Sequence, residues 1–188
     1  MRMPYAPLLT AAALLGACGG GAVSTPPRAD AASVTRGDDI DDTSLDFTDE
    51  AAAGVRARAA AVSSGLRDAV AARADARARE GDCQRYPDAD RVFALRVDGH
   101  AAPDGLALYT LEGCGGGNHY VRQLLVLRSV GGTWHPVVET ALGAKHATRR
   151  IHGITHDAII LGPSGDLPGS SEAPPDSVPL PPRGEPSR

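Results

Sequence analysis

The chain has 188 residues, and 19 Lys and Arg against 23 Asp and Glu give it a formal net charge of −4 at pH 7. That balance argues against nucleic-acid binding, which needs a basic face. Aromatic residues make up only 4%, and the large hydrophobic side chains concentrate between Val92 and Leu161, so one small core is the most this chain can bury.

Met1 to Pro7 carries a single charge, Arg2, and precedes the apolar run Leu8 to Ala17. Such a run suits the core of a signal peptide and is too short to span a bilayer. The order Leu15-Gly16-Ala17-Cys18 sets two small residues before a lone cysteine and resembles the bacterial lipobox. The resemblance implies that residues 1–17 are removed as a signal peptide and that Cys18 is the lipidation site, carrying acyl chains such as palmitate. Gly19 follows in place of the Asp that retains such lipoproteins at the inner membrane, which implies an outer-membrane anchor with the body on the periplasmic face. Several acyl chains, at ~0.8 kcal/mol per buried CH₂, hold more firmly than one. The alternative is an ordinary secretory signal cut nearby, with Cys18 left as an odd thiol.

Gly19 to Glu50 holds Gly19 to Gly21, Pro26, Pro27 and eight acidic residues among few large apolar groups. A composition of this kind cannot offset the entropy of ordering, so residues 18–48 read as a disordered tether with a reach of about 30 Å. Asp38, Asp39, Asp41 and Asp42 read as a solvated spacer in preference to a weak cation site.

Residues 49–81 are rich in Ala and Arg and lack proline. Val55, Ala59, Val62, Leu66 and Val70 recur at steps of three and four, which puts a narrow apolar stripe on a helix. Thr48 caps its start and Gly81 follows its end as a left-handed cap would. Ser63, Ser64 and Gly65 weaken the middle, so the stretch also fits two shorter helices. Its six arginines read as a solvated face, with binding of lipid or glycan phosphates as the alternative.

From Cys83 the period changes to two. Arg91 to Asp98, Gly105 to Leu111, His119 to Val130, Thr133 to Thr140, Thr148 to Ile151 and Ala158 to Leu161 read as strands, separated by Asp98-Gly99, Pro103-Asp104-Gly105, Gly113 to Asn118, Gly131-Gly132, Gly143 and Gly153. Gly131-Gly132 is the strongest hairpin signal. Short connections pair strands antiparallel. The expected fold is α+β, with a curled meander of five or six strands over 82–162 and the helix covering one face or end. Residues 163–188 hold eight of the fifteen prolines and read as an extended, unpacked, disordered tail.

With Cys18 acylated, Cys83 and Cys114 remain as an even pair in an oxidising compartment, which predicts a disulfide. The competing reading makes Cys114 a nucleophile with His119 as its base. Glu112-Gly-Cys-Gly-Gly-Gly-Asn118 is the most unusual string in the domain. It lacks the Lys-Ser/Thr of a phosphate loop and no helix follows. Gly115, Gly116, Gly117, Asn118 and His119 therefore read as a tight, disulfide-pinned and exposed loop, the candidate binding surface. His146, His152 and His156 raise a zinc site, but on a continuous strand His152 and His156 would lie ~13 Å apart. Structural or surface histidines are the default, and the pattern calls for no metal and no cofactor. Ser164 misses the nucleophile-elbow pattern.

Leu111 to Asn118, Trp134 after its Gly-Gly turn and the closing His152-Gly153-Ile154 make the domain resemble small secreted β-domains of proteobacteria, a resemblance that implies no activity. The function expected is a non-enzymatic binding module, inhibitor- or immunity-like, with a periplasmic protein partner. The alternatives are a structural subunit of an envelope assembly that associates through the Ala-rich helix, and an envelope enzyme using the histidines with a metal or the Cys114 thiolate.

Overall fold

The computed structural model describes residues 46–97, 102–144, 147–163 and 175–183. Cys18 and the rest of residues 1–45 lie outside them, as do Lys145, His146 and Ser164. In place of one helix over 49–81 there are two: α1 spans Asp49–Arg58 and α2 spans Ser64–Glu80. Thr48 caps α1, its hydroxyl accepting from the Ala51 N–H at 3.3 Å. The chain leaves helical geometry at Ala59, and Ala59–Ala60 pairs as a short strand, β1, with β3 (Arg91–Leu95). Ser63 then caps α2 by accepting from the Leu66 N–H at 3.2 Å. A serine hydroxyl competes for backbone N–H groups, so it contributes more at a helix start than inside one. At the far end Gly81 has φ −99° and the left-handed residue is Asp82, with φ 48°. The left-handed position falls one residue later than expected.

The remaining strands are β2 (Gln84–Arg85), β4 (Asp104–Glu112), β5 (Tyr120–Val130), β6 (Thr133–Ala144), β7 (Ala147–Ile154), β8 (Ala158–Pro163) and β9 (Asp176–Pro179). They make a nine-stranded sheet in the order β1-β3-β4-β5-β6-β7-β8-β9, with β2 also pairing β4, and every strand pairing is antiparallel. The α+β class and the meander are as expected. The count exceeds the expected five or six because β1, β2 and β9 are too short to show alternation. Gly131 and Gly132, at φ 59° and 85°, form the turn between β5 and β6.

The apolar stripe that looked continuous is divided between two cores. Val55 packs with Leu106, Leu108, Leu124 and Val126 on one face of the sheet, under α1. Val62, Leu66 and Val70 pack with Ala107, Tyr109, Leu111, Leu125 and Leu127 on the other face, under α2. The centre of the sheet is therefore covered on both faces rather than one. Helix α2 approaches closely where β4 carries a glycine: a Cβ on Gly105 would fall 2.5 Å from Leu66 Cδ1, so the fully buried Leu66 side chain would have to shift within the core. Gly105→Ala is expected to lower the free energy of unfolding by about 1 to 3 kcal/mol, read by urea denaturation.

Two β-bulges curl the sheet. Val126 pairs with Val138 while Leu127 pairs with Pro136, which leaves Val137 over; Gln123 pairs with Ala141 while Arg122 pairs with Gly143, which leaves Leu142 over. Both extra residues turn into the α1-side core, bending β6 as bulges do. Gly143, expected as a turn, thus sits inside a strand. Strand β7 pairs with β6 only at Gly143 and Ala144, and Ile151, Ile159 and Leu161 of β7 and β8 then close over the same core.

The described residues of both flanks, 46–48 and 175–183, belong to the folded unit. The tail expected over 163–188 instead supplies β9, which pairs with β8, and Leu180, which is 7% exposed. Prolines are tolerated there because an edge strand need not offer every N–H to a neighbour. Arg128 donates to the Pro181 carbonyl, and Arg183 Nη2 donates to Asp104 Oδ2 at 2.9 Å. At the other end the tether reading of 18–48 stops too late. Phe47 is buried edge-on against Phe93, with ring centroids 5.8 Å apart. Arg122 donates to both Asp46 carboxylate oxygens, at 3.1 and 2.8 Å.

Candidate functional site

The expected loop is held at three points. Cys83 follows α2, its N–H donating to the Ala78 carbonyl at 2.8 Å, and Cys114 opens the connection from β4 to β5. Their sulfurs lie at disulfide distance, 2.09 Å, with the Cα atoms 4.2 Å apart. Within the loop the Gly116 N–H donates to the Gly113 carbonyl at 3.0 Å, and the Gly113 N–H donates to the His119 carbonyl at 2.9 Å. Gly113, Gly115 and Gly116 take φ of 68°, 65° and 78°, where a side chain is strained. Gly117 answers to a different constraint, because a Cβ there would fall 2.4 Å from His119 Cδ2. Gly115, Gly116, Asn118 and His119 are exposed. Gly115→Ala and Gly116→Ala have open space around them, so each should cost only the backbone strain, about 1 to 2 kcal/mol by denaturation.

Beside the loop the sheet ends in a solvent-facing apron that the sequence reading missed. Gln84 pairs with Glu112, and Glu112 pairs with Tyr120, so the three side chains form one row across β2, β4 and β5 on one face. Tyr86 lies two residues beyond Gln84, and its N–H donates to the Thr110 carbonyl at 3.0 Å. Tyr86 is 47% exposed and Tyr120 39%. The available signal was a tyrosine a few residues after each cysteine, but only the pairing of a two-residue strand brings them together.

Arg85 and Arg122, on β2 and β5 beside this apron, are engaged within the fold. Arg85 Nε donates to Asp90 Oδ2 at 3.1 Å and its Nη1 to Asp75 Oδ1 at 3.2 Å. Burial works against the Arg85 charge, yet these carboxylates outweigh it and raise its pKa. For Asp90 the balance goes the other way. Burial lifts its carboxyl above the usual range despite Arg85 and Arg122, and its Oδ1 is buried with no hydrogen-bond partner. Besides Asp46, Arg122 reaches Thr110 Oγ1 at 2.9 Å and the Ala89 carbonyl at 2.7 Å. The carboxylates of Asp82, Asp88 and Glu112 make no ion pair among the described residues.

The other chemistry-bearing groups are dispersed. Cys114 lies at bonding distance from Cys83, so the thiolate that the His119 reading requires is not free in this state. His152 Nε2 is 3.3 Å from the Pro163 carbonyl, whereas His156 is exposed with Nδ1 3.7 Å from Asp157 Oδ1. Among the described residues no three His, Cys, Asp or Glu side chains are grouped to hold a metal ion. Tyr109 donates to Glu139, which also accepts from Arg73 Nε at 3.0 Å. Burial, then Glu139, pushes the Tyr109 hydroxyl far above its usual pKa. The trio lies under α2 and ties that helix to the sheet. A cleft of about 240 Å³ between α1 and β7 has Glu50, Arg58 and His152 in its lining and, among the described residues, no Ser, Thr or Cys. Arg58 Nη1 donates to the Ile154 carbonyl there at 2.6 Å. No protein-family model matches this chain, and neither does any curated protein or solved structure.

Proposed function

We propose that this protein is a lipid-anchored envelope lipoprotein, held at the outer membrane through Cys18. Its periplasmic domain binds a protein partner without catalysis, in the manner of inhibitor and immunity proteins. The observation that carries the binding reading is the 113–119 loop, exposed yet fastened by the Cys83–Cys114 pair and by its own backbone hydrogen bonds. A loop held this way loses little conformational entropy on binding. Helix α2 uses its apolar residues Leu66, Val70, Ala74 and Ala78 against its own sheet, so the loop is favoured over that helix as the surface for a partner. The anchor rests on Leu15-Gly16-Ala17-Cys18.

Two experiments test the two halves. Labelled palmitate should enter the wild-type chain and not Cys18→Ser, and only the wild type should sediment with outer membrane; equal sedimentation of both contradicts the anchor. Crosslinking in intact envelopes, followed by mass identification, should capture one stoichiometric protein. That capture should be lost when Gly115, Gly116 and Gly117 are replaced by bulky residues in a chain that keeps its circular dichroism. Capture that survives the replacement contradicts the binding reading.

A further inference from the structure

We infer that the Tyr86, Gln84, Glu112 and Tyr120 apron, together with the glycine loop, is a docking surface for a cationic segment of a protein, a loop or tail presenting Arg or Lys. This rests on the reading above that the loop end binds protein, and it names the chemistry of that partner. Three observations converge.

The first is the side-chain row. Gln84, Glu112 and Tyr120 are direct cross-strand partners, so with strands about 4.8 Å apart the Glu112 carboxylate stands between an amide and a phenol ring. Tyr86 and Tyr120 are two of the three exposed large hydrophobic side chains among the described residues, the third being Val130. The Tyr120 phenol beside the carboxylate, with the exposed Tyr86 two residues beyond Gln84, offers a guanidinium or ammonium both a π surface and a counter-ion.

The second is the charge left over. Arg85 and Arg122 point their donors at Asp90, Asp75, Asp46, Thr110 and the Ala89 carbonyl. Glu112, Asp82 and Asp88 make no ion pair among the described residues. Arg79, exposed one turn before Cys83, likewise makes no ion pair among the described residues, so three unmatched carboxylates stand against one guanidinium and the balance at this end is negative, which complements a cation and repels an acidic partner. A neutral glycan would draw on Tyr, Gln84 and Asn118 equally well but would make no use of that charge.

The third is rigidity. Cys83–Cys114 fastens the start of β2 to the loop, and Gln84 directly follows Cys83 in the chain. The surface is preformed, so an extended basic segment can dock without reordering it.

The test uses the full mature chain as its Cys18→Ser form, labelled with ¹⁵N and titrated with hexa-arginine. The expected result is amide shift changes at residues 84–86 and 112–120, with Glu112→Gln and Tyr120→Ala each weakening binding roughly tenfold while the remaining spectrum is unchanged. Shifts confined to Asp38, Asp39, Asp41 and Asp42 would overturn the inference, as would unchanged affinity in Glu112→Gln. A chitooligosaccharide shifting the apron amides when hexa-arginine does not would overturn it in favour of a glycan site. If hexa-arginine fails while the envelope crosslink still captures a protein through the loop, the cationic chemistry is wrong and the protein-binding reading stands.

Discussion

Replacing Cys83 and Cys114 together by serine lowers the free energy of unfolding by about 3 to 4 kcal/mol. The two cysteines are 31 residues apart in sequence, and closing a loop of that length removes this much entropy from the unfolded chain. Against a typical domain stability of about 5 to 15 kcal/mol the loss is large. The native side of the bond adds to it: the crosslink ties the end of α2, through the Cys83 N–H on the Ala78 carbonyl, to β2 and to the loop. Urea denaturation measures the effect. A change below about 1 kcal/mol would mean that the bond closes a loop already confined in the unfolded state.

Asp104→Ala is expected to be as severe, about 3 to 5 kcal/mol. Asp104 is 3% exposed and faces two guanidiniums, Arg128 Nε at 3.4 Å and Arg183 Nη2 at 2.9 Å. Deleting it leaves Arg128, itself almost buried, as an uncompensated cation. It also frees the 181–183 segment, so limited proteolysis should reach that segment before any other described part of the chain. The Arg77–Glu80 pair on α2 gives the contrast. Its nitrogen–oxygen distance is 3.1 Å, but both side chains are about half exposed, and Glu80→Ala should leave the denaturation midpoint almost unchanged. Burial, more than distance, decides which ion pair matters.

The strands of the meander were legible because their signals are local. Phe93 and Leu95 alternate, Gly131-Gly132 permits only a tight turn, and Tyr120–Val130 is an unbroken run with breakers on either side. The Cys83–Cys114 pairing followed from counting. What escaped depends on contacts between distant segments. Val178 and Leu180 lie in a proline-rich tail whose composition argues for disorder, and only the apolar surface of β8 and the Arg128 and Asp104 side chains make ordering worthwhile. Asp46 and Phe47 end an acidic stretch and look like more tether, yet Arg122 and Phe93 receive them. The break in the helix was visible at Ser63. That its two halves cover opposite faces was not, since Ala107 and Gly105, the small residues that admit α2, read only as weak strand formers. The loop was found by its glycines, but the apron beside it was not, because Gln84, Glu112 and Tyr120 meet only through strand register.

The most direct test of a loop-end contact surface is site-specific photocrosslinking in intact cells, with the probe at Asn118 and, as control, at Gly132 in the turn between β5 and β6. The account predicts one discrete protein adduct from position 118, none from 132, and loss of the first in the Cys83→Ser/Cys114→Ser chain. An adduct from position 132 with none from 118 would move the contact to the other end of the sheet and contradict it.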